Sequence, residues 1–503
     1  MRSSRFVAFA AAALFLMAGC GGNASPAPST SGPATQDPRL DQFYNQTVTW
    51  TDCGNGFQCT AVKVPLSYDD PGGDTLSLKV NRLPAADPPG RIGSLLVEPG
   101  GPGASGVEYV TASKDAFSQD LRNVYDLVGF DPRGVGASDP IHCLDASQAD
   151  RFLAVEGTPF NASQTADVVN VSTDFGKGCQ QKSPKLVFNV GTVPAAKDLD
   201  ILRSVVKDQK LNLLAKSYGT FMGLTYVGLF PAKVGRFALD GVIDPTLTNE
   251  QLARGQAEGF QLAQSRFIDY CIKRSSCPLP KSAKAGLARI NKWLQSLAFT
   301  PIKAAPGRPL TRALAVNGLI ASMYQPDTQW PALSKALAAG FKGNGGPMLA
   351  IVDTFVGRKP NGTYDSNSLD ALYAVNCLDR KDRAGIAETQ RQAVAFSATA
   401  STFGSDFAWA NLPCSTWPVG PTDQPHVISG EGAGPILLVA TTHDPATPYP
   451  WAVSTSKQMP NSTLLSWTGD GHTAYLRGSE CVDSKMNAYL ISGTVPEAGQ
   501  TCS

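Results

Sequence analysis

Hydrophobic and polar positions alternate between residues 57 and 83, on either side of the turn Pro71-Gly72-Gly73-Asp74, and this period of two predicts a pair of strands. Beyond them the pattern changes to short apolar runs followed by stretches of helical spacing. Residues 94–97, 126–130, 211–214 and 236–239 read as buried strands, and 195–206 and 221–229 as helices. The strand pattern returns at 435–441 and 463–467. Such alternation predicts the α/β class, with a mostly parallel sheet flanked by helices and right-handed crossovers. The block 246–424 differs, because Ala, Leu, Gln and Lys recur at helical spacing in 251–274, 284–297, 333–341 and 382–398. A large helical excursion between two parts of one sheet predicts a cap or lid over a site. The sheet domain is therefore expected in two parts, 46–245 and 425–503, with the cap between them.

The first residues follow another pattern. Arg2 and Arg5 precede an uninterrupted apolar run of 13 residues, 6–18, which is too short for a bilayer span of about 20 residues. Small residues end the run at Ala18-Gly19, as signal peptidases require, and Cys20 follows. This resembles a bacterial lipobox, with Met17 where Leu is more usual. Residues 1–19 are expected to be a signal peptide, Cys20 a lipidation site, and 20–45 a flexible tether, uncharged from Gly21 to Thr35. Export to the outer face of the cell membrane follows, with plain secretion as the alternative. The lipid is then the chain's one expected link to the membrane.

Charge excludes one class of partner. The 503 residues carry 43 Lys and Arg against 42 Asp and Glu without a long basic run, which argues against nucleic acid. Cysteine number points the same way as the leader. Of 11 cysteines, ten remain if Cys20 carries lipid, and ten can pair completely in an oxidising compartment. Pairing between sequence neighbours would join Cys53–Cys59, Cys143–Cys179, Cys271–Cys277, Cys377–Cys414 and Cys481–Cys502. Zinc is the rival reading, but the spacing of these cysteines does not match a zinc ribbon. No metal is expected.

Four segments could carry chemistry. Ala215-Lys216-Ser217-Tyr218-Gly219 follows one predicted strand and precedes a helix, the context of a nucleophile elbow. Small residues two before and two after the serine let strand and helix approach closely. Glu98-Pro99-Gly100-Gly101-Pro102-Gly103 follows another strand, and a glycine-rich loop there lets a backbone N–H reach a tetrahedral oxyanion. The Gly101 and Tyr218 amides are the two expected donors. Asp444, in Thr442-His443-Asp444-Pro445, follows the strand at 435–441 and is placed to hold an imidazole. Only four histidines compete for the base. His443 adjoins Asp444 and points away from it on an extended backbone, His142 neighbours an expected disulfide, and His426 sits in a proline-flanked connector. His472, in Gly469-Asp470-Gly471-His472, has both loop freedom and the correct end of a strand. The order Ser217, Asp444, His472 is that of α/β-hydrolases and differs from the other common serine hydrolase arrangements.

With these motifs assembled, the chain resembles the exported tripeptidyl aminopeptidase family of α/β-hydrolases, relatives of the proline iminopeptidases. Pro99–Gly103 matches their oxyanion loop with Glu98 leading, and Asp131-Pro132-Arg133-Gly134-Val135-Gly136-Ala137-Ser138 matches a second family segment. Lys197-Asp198-Leu199-Asp200 and the run 442–448 are also similar to theirs, and the likeness extends from about Trp50 to the C-terminus. The resemblance implies an α/β-hydrolase fold with Ser217 as nucleophile, Asp444 as acid and His472 as base, without a cofactor. It implies short peptides or protein N-termini as substrates, with a carboxylate under the cap to meet the free amine. Asp379, beside Cys377, is the first choice for that carboxylate and Glu98 the second. Ala215 in place of Gly, Lys216 inside the elbow and Thr473 after the histidine depart from the family pattern, and Lys216 is expected to bear on substrate preference. A carboxylesterase or lipase is the competing reading, and a catalytically dead binding protein would lack one of the three residues. The enzyme is expected to act as a monomer.

Overall fold

The structure, a computed structural model, describes residues 37–503. The leader and Cys20 lie outside them. The main sheet contains β1 (Thr51–Gly54), β2 (Phe57–Pro65), β3 (Thr75–Leu83), β4 (Gly93–Glu98), β5 (Tyr125–Phe130), β6 (Leu211–Lys216) and β7 (Val234–Asp240). A small hairpin, β8 (Ile302–Ala305) and β9 (Arg308–Leu310), stands apart from it, and β10 (Ile436–His443), β11 (Ser462–Asp470) and β12 (Thr501–Cys502) complete it. The strand order is β1-β2-β3-β5-β4-β6-β7-β10-β11-β12. Pairing is antiparallel from β1 to β5 and parallel from β5 onward. This is the α/β-hydrolase arrangement.

Burial explains why the two halves of the sheet read differently in sequence. In β2 and β3 inward Val62, Val64, Leu76, Leu78 and Val80 alternate with more exposed positions, as expected of an antiparallel sheet with one covered face. Every residue of β4 and β5 is buried, so these strands are continuous apolar runs. Successive side chains still go to opposite layers. Leu96, Leu213 and Leu239 join the core beneath helices Thr192–Val205 and Tyr218–Leu229. Leu95, Val97, Leu214, Ala238 and Val439 join the core formed with Val110, Leu121, Val482 and Met486 of the opposite helices.

The cap is the chain between β7 and β10, which pair directly in parallel. Four of its helices correspond to predicted stretches: Asn249–Ile272, Ala283–Phe299, Pro326–Gly340 and Ile386–Thr399. The last starts later than its pattern because Asp382 instead accepts hydrogen bonds from the Asn249 and Glu250 amides at the start of the first. Helices Arg312–Met323, Gly346–Phe355 and Ser368–Asp379 were not predicted. Ten of the twelve residues of Arg312–Met323 are buried, so it has no polar face to create a periodic signal. The helix Ala162–Lys182 in the sheet domain also went unpredicted, although Val168, Val171, Phe175 and Cys179 form a stripe along it. Phe260, Phe267, Ile290, Leu319 and Leu333 give the cap its own core, whereas Ala371, Ala374 and Leu378 pack into the sheet domain.

Within the expected tether 20–45, Asp41–Tyr44 is helical and Phe43 is buried against the core. The ten cysteines of the described residues form Cys53–Cys59, Cys143–Cys179, Cys271–Cys277, Cys377–Cys414 and Cys481–Cys502. Five disulfides belong to a protein exported to an oxidising compartment.

Candidate active site

The singled-out segments converge at the C-terminal ends of the parallel strands. β6 ends at Lys216, and Ser217 turns the chain into helix Tyr218–Leu229 with φ 56° and ψ −126°. A non-glycine residue in that region is strained, and it persists because its surroundings hold it. The Ser217 amide donates to the Asp240 carbonyl at 2.9 Å. From Leu213 to Val227 every residue is buried except Ser217, which is half-buried. The local fold therefore presents one side chain. Glycine is required on both sides of it: a Cβ on Gly219 would collide with the Glu98 carboxyl, and one on Gly100 would stand 2.6 Å from the Lys216 carbonyl oxygen and 2.9 Å from Ser217 Cβ. The loop after β4 thus packs directly on the elbow. Tyr218 opens the helix, where an N–H has no intrahelical acceptor.

Asp444 follows β10 and is almost wholly buried. Its Oδ1 accepts from the Ala446 and Thr447 amides at 2.9 Å each, and Oδ2 accepts from Thr447 Oγ1 and the Thr473 amide at 3.0 Å each. His472 Nδ1 lies 2.8 and 2.9 Å from the two oxygens. An ionised carboxylate only accepts, so Nδ1 carries a hydrogen, and in the neutral imidazole Nε2 is then the acceptor. A Cβ on Gly241 would lie 3.4 Å from His472 Cε1, so the imidazole packs on the residue adjoining the Ser217 contact. The other histidines are elsewhere engaged or exposed. His443 Nδ1 meets the Gly469 carbonyl and Asp470, His426 Nδ1 meets the Gln424 carbonyl, and His142 is exposed.

Lys216 does not face substrate. It is buried, its Nζ donates to the Tyr475 carbonyl at 2.6 Å, and it lies 3.8 Å from Asp240. Asp240 in turn accepts from the Ala474 and Tyr475 amides. Burial raises the Asp240 pKa, and the Lys216 cation opposes that shift. The expected bearing on substrate preference is replaced by a scaffold role, tying the elbow to the loop that carries His472.

The second family segment is also scaffold. Buried Arg133 forks onto Asp198 and donates to the carbonyls of Pro65, Leu66 and Asn189. Two separate motifs, around Arg133 and Asp198, therefore meet in one buried ion pair.

The two carboxylates considered for the substrate amine differ sharply. Asp379 is buried, with Oδ1 accepting from the Thr192 amide at 2.7 Å and Oδ2 from Thr192 Oγ1 at 2.6 Å. Thr192 Oγ1 also lies 2.5 Å from Tyr218 Oη. Burial pushes the Asp379 carboxyl up to about 6, with Arg380 and Thr192 pulling it down. Glu98 is equally buried, yet neither of its oxygens has a hydrogen-bond partner. Burial pushes its pKa up to about 8, with the neighbouring Gly100 amide pulling the other way.

A family model described as TAP-like protein matches residues 399–502, the end of the cap and the strands bearing Asp444 and His472. The chain is 35% identical to serine protease Hip1 of Mycobacterium tuberculosis over 479 residues, 91% of each chain. It is 34% identical to carboxylesterase B of the same organism, over 96% of each chain, and 29% identical to a tripeptidyl aminopeptidase of Streptomyces lividans, over 90% of this chain and 86% of that one. A solved proline iminopeptidase of Mycobacterium smegmatis is similar over 86% of this chain and 100% of its own, at 15% identity and a TM-score of 0.37. By its likeness to the two mycobacterial enzymes of 34–35% identity along more than nine-tenths of its length, and by its sheet topology, the chain belongs to the TAP-like α/β-hydrolase family and is a serine hydrolase.

Proposed function

We propose that this exported enzyme is an aminopeptidase of tripeptidyl type, releasing short peptides from free N-termini through an acyl-enzyme on Ser217. The observation that carries the reading is the His472–Asp444 pair on the loop after β11 together with Ser217 held in a strained strand-to-helix turn at the end of β6. Ser217 Oγ attacks the scissile carbonyl carbon while His472 Nε2 takes its proton. Asp444 keeps the imidazole in the required tautomer and stabilises the imidazolium. The oxyanion is met by the Gly101 and Tyr218 amides. As the intermediate collapses, the C–N bond breaks and the leaving amine takes the imidazolium proton. Water, deprotonated by His472, then releases the acyl group and restores Ser217.

The helical insertion reaches the base through the Tyr324 ring against the His472 imidazole, and a cap that closes one end of the site would favour chain termini over internal segments. A cationic amine held there requires a carboxylate, because an unpaired buried charge is strongly unfavourable. Asp379 commits both oxygens to Thr192, so Glu98 is the partner we favour. At pH 6 Glu98 is mostly protonated, and holding a cationic amine requires it to lose that proton. KM for a free-amine peptidyl amide should therefore fall as pH rises from 6 toward 8, until the α-amine itself loses its proton near 8. The N-acetylated twin should be a poor substrate without this trend. Glu98→Gln should raise KM for the free form by about tenfold and abolish the trend. Equal cleavage of the free and acetylated peptides would overturn amine recognition and favour the carboxylesterase reading, which the 34% identical relative supports. Activity against short acyl esters alone would have the same meaning.

We further propose that Cys20 is lipidated and holds the enzyme at the outer face of the membrane. Mass spectrometry of the mature N-terminus should find a diacylglyceryl cysteine at Cys20, and Cys20→Ala should leave the precursor uncut. A mature chain beginning elsewhere would overturn the anchor.

A further inference from the structure

The base sits on a loop that the cap holds from two sides. His472 donates its amide hydrogen to the carbonyl of Tyr324, the residue after cap helix Arg312–Met323, at 3.0 Å. The Tyr324 ring meets the imidazole edge to face, with centroids 5.2 Å apart at 87°. Two residues before the base, Asp470 receives a bidentate hydrogen bond from Arg266 of cap helix Asn249–Ile272, at 2.8 and 3.0 Å. Between cap and loop stands Arg477. Its Nη1 donates to the Tyr324 carbonyl at 3.0 Å and to the His472 carbonyl at 2.7 Å. Among the described residues no carboxylate stands within ion-pair distance of this guanidinium, so a half-buried cation is committed to two backbone carbonyls.

The geometry points to Arg477 as a positioning residue for the base: it clamps the cap segment at Tyr324 to the backbone of His472 and so holds the imidazole in place. This rests on the assignment of His472 as base. The clamp has a consequence for the cap. At this edge the cap cannot lift as a lid without moving the base, so it forms a fixed wall of the site.

The clamp acts through backbone carbonyls, and its loss should displace the imidazole while leaving the substrate-binding surfaces in place. Misplacement of about 1 Å at a reacting group costs about a hundredfold. Arg477→Met should therefore lower kcat by about ten- to a hundredfold with KM and Tm unchanged. The second-order rate of Ser217 labelling by a fluorophosphonate should fall by the same factor, because labelling needs the base and no peptide. Arg477→Lys, whose ammonium is a point donor without a planar fork, should recover part of both rates. Unchanged labelling and kcat in Arg477→Met would overturn the proposal. So would a fall in rate accompanied by an equal fall in the fraction folded, with no recovery in Arg477→Lys. If the wild-type enzyme is not labelled at all, the serine–histidine assignment fails instead, which separates the two outcomes.

Discussion

Replacing Ser217 by Ala should lower kcat by a factor on the order of ten thousand to a million and leave the fold intact. The size of the loss follows from the mechanism, because without Oγ no acyl-enzyme forms. What remains is the contribution of the amides and of substrate positioning. Stability should hold for a geometric reason. Alanine keeps the Cβ that serine already carries at φ 56°, so the strain at the elbow is unchanged, and the Ser217 amide still reaches the Asp240 carbonyl. Peptidyl-amide turnover, intact-mass analysis after fluorophosphonate treatment and a thermal melt check this together. Retained turnover, or a labelled variant, would remove Ser217 from its role.

Asp444→Asn should lower kcat by about ten-thousandfold and also destabilise the loop that carries the base. Five donors converge on this carboxylate: the Ala446, Thr447 and Thr473 amides, Thr447 Oγ1 and His472 Nδ1. An asparagine offers one acceptor oxygen and one NH2. Whichever way it turns, its NH2 faces donors that a carboxylate would have accepted. His472 Nδ1 contacts both oxygens, so in either orientation it meets the NH2 as well as the remaining oxygen, and where it accepts from that NH2 the imidazole takes the other tautomer, with Nε2 protonated and unable to take the serine proton. If the NH2 faces the Ala446 and Thr447 amides, two buried donors lose their acceptor, at about 1–3 kcal/mol each. Activity and Tm should therefore both fall, and the fluorophosphonate labelling rate should fall with activity. A near-wild-type labelling rate in Asp444→Asn would show that His472 does not depend on Asp444.

The parts of this protein legible in sequence are those that a short window encodes. β4, β6 and β10 were found at their places because strands buried on both faces are continuous apolar runs, and β2 and β3 because one covered face imposes alternation. The strand-to-helix turn at Ser217 is legible because such a turn needs small residues at fixed offsets on each side. The pairing of Asp444 with His472 is legible because each lies just after a strand of the parallel sheet. Arg312–Met323 was missed for the converse reason, since a helix surrounded by protein has no polar side and no period to read.

The sequence by itself therefore determined the fold class, the chain order of the three site residues and the presence of a helical insertion between β7 and β10. These depend on local spacing and on burial, and both leave a mark on consecutive residues. Only the tertiary structure decided what the charged groups do. Lys216 meets a carbonyl 259 residues away, which makes it scaffold, and Asp379 meets Thr192 across 187 residues, which occupies the carboxylate first chosen for the amine. Glu98 was left without a partner and Arg477 was set between the cap and the base by the same packing. A charge in a folded chain takes its role from the group brought opposite it, and that group is specified by the whole topology.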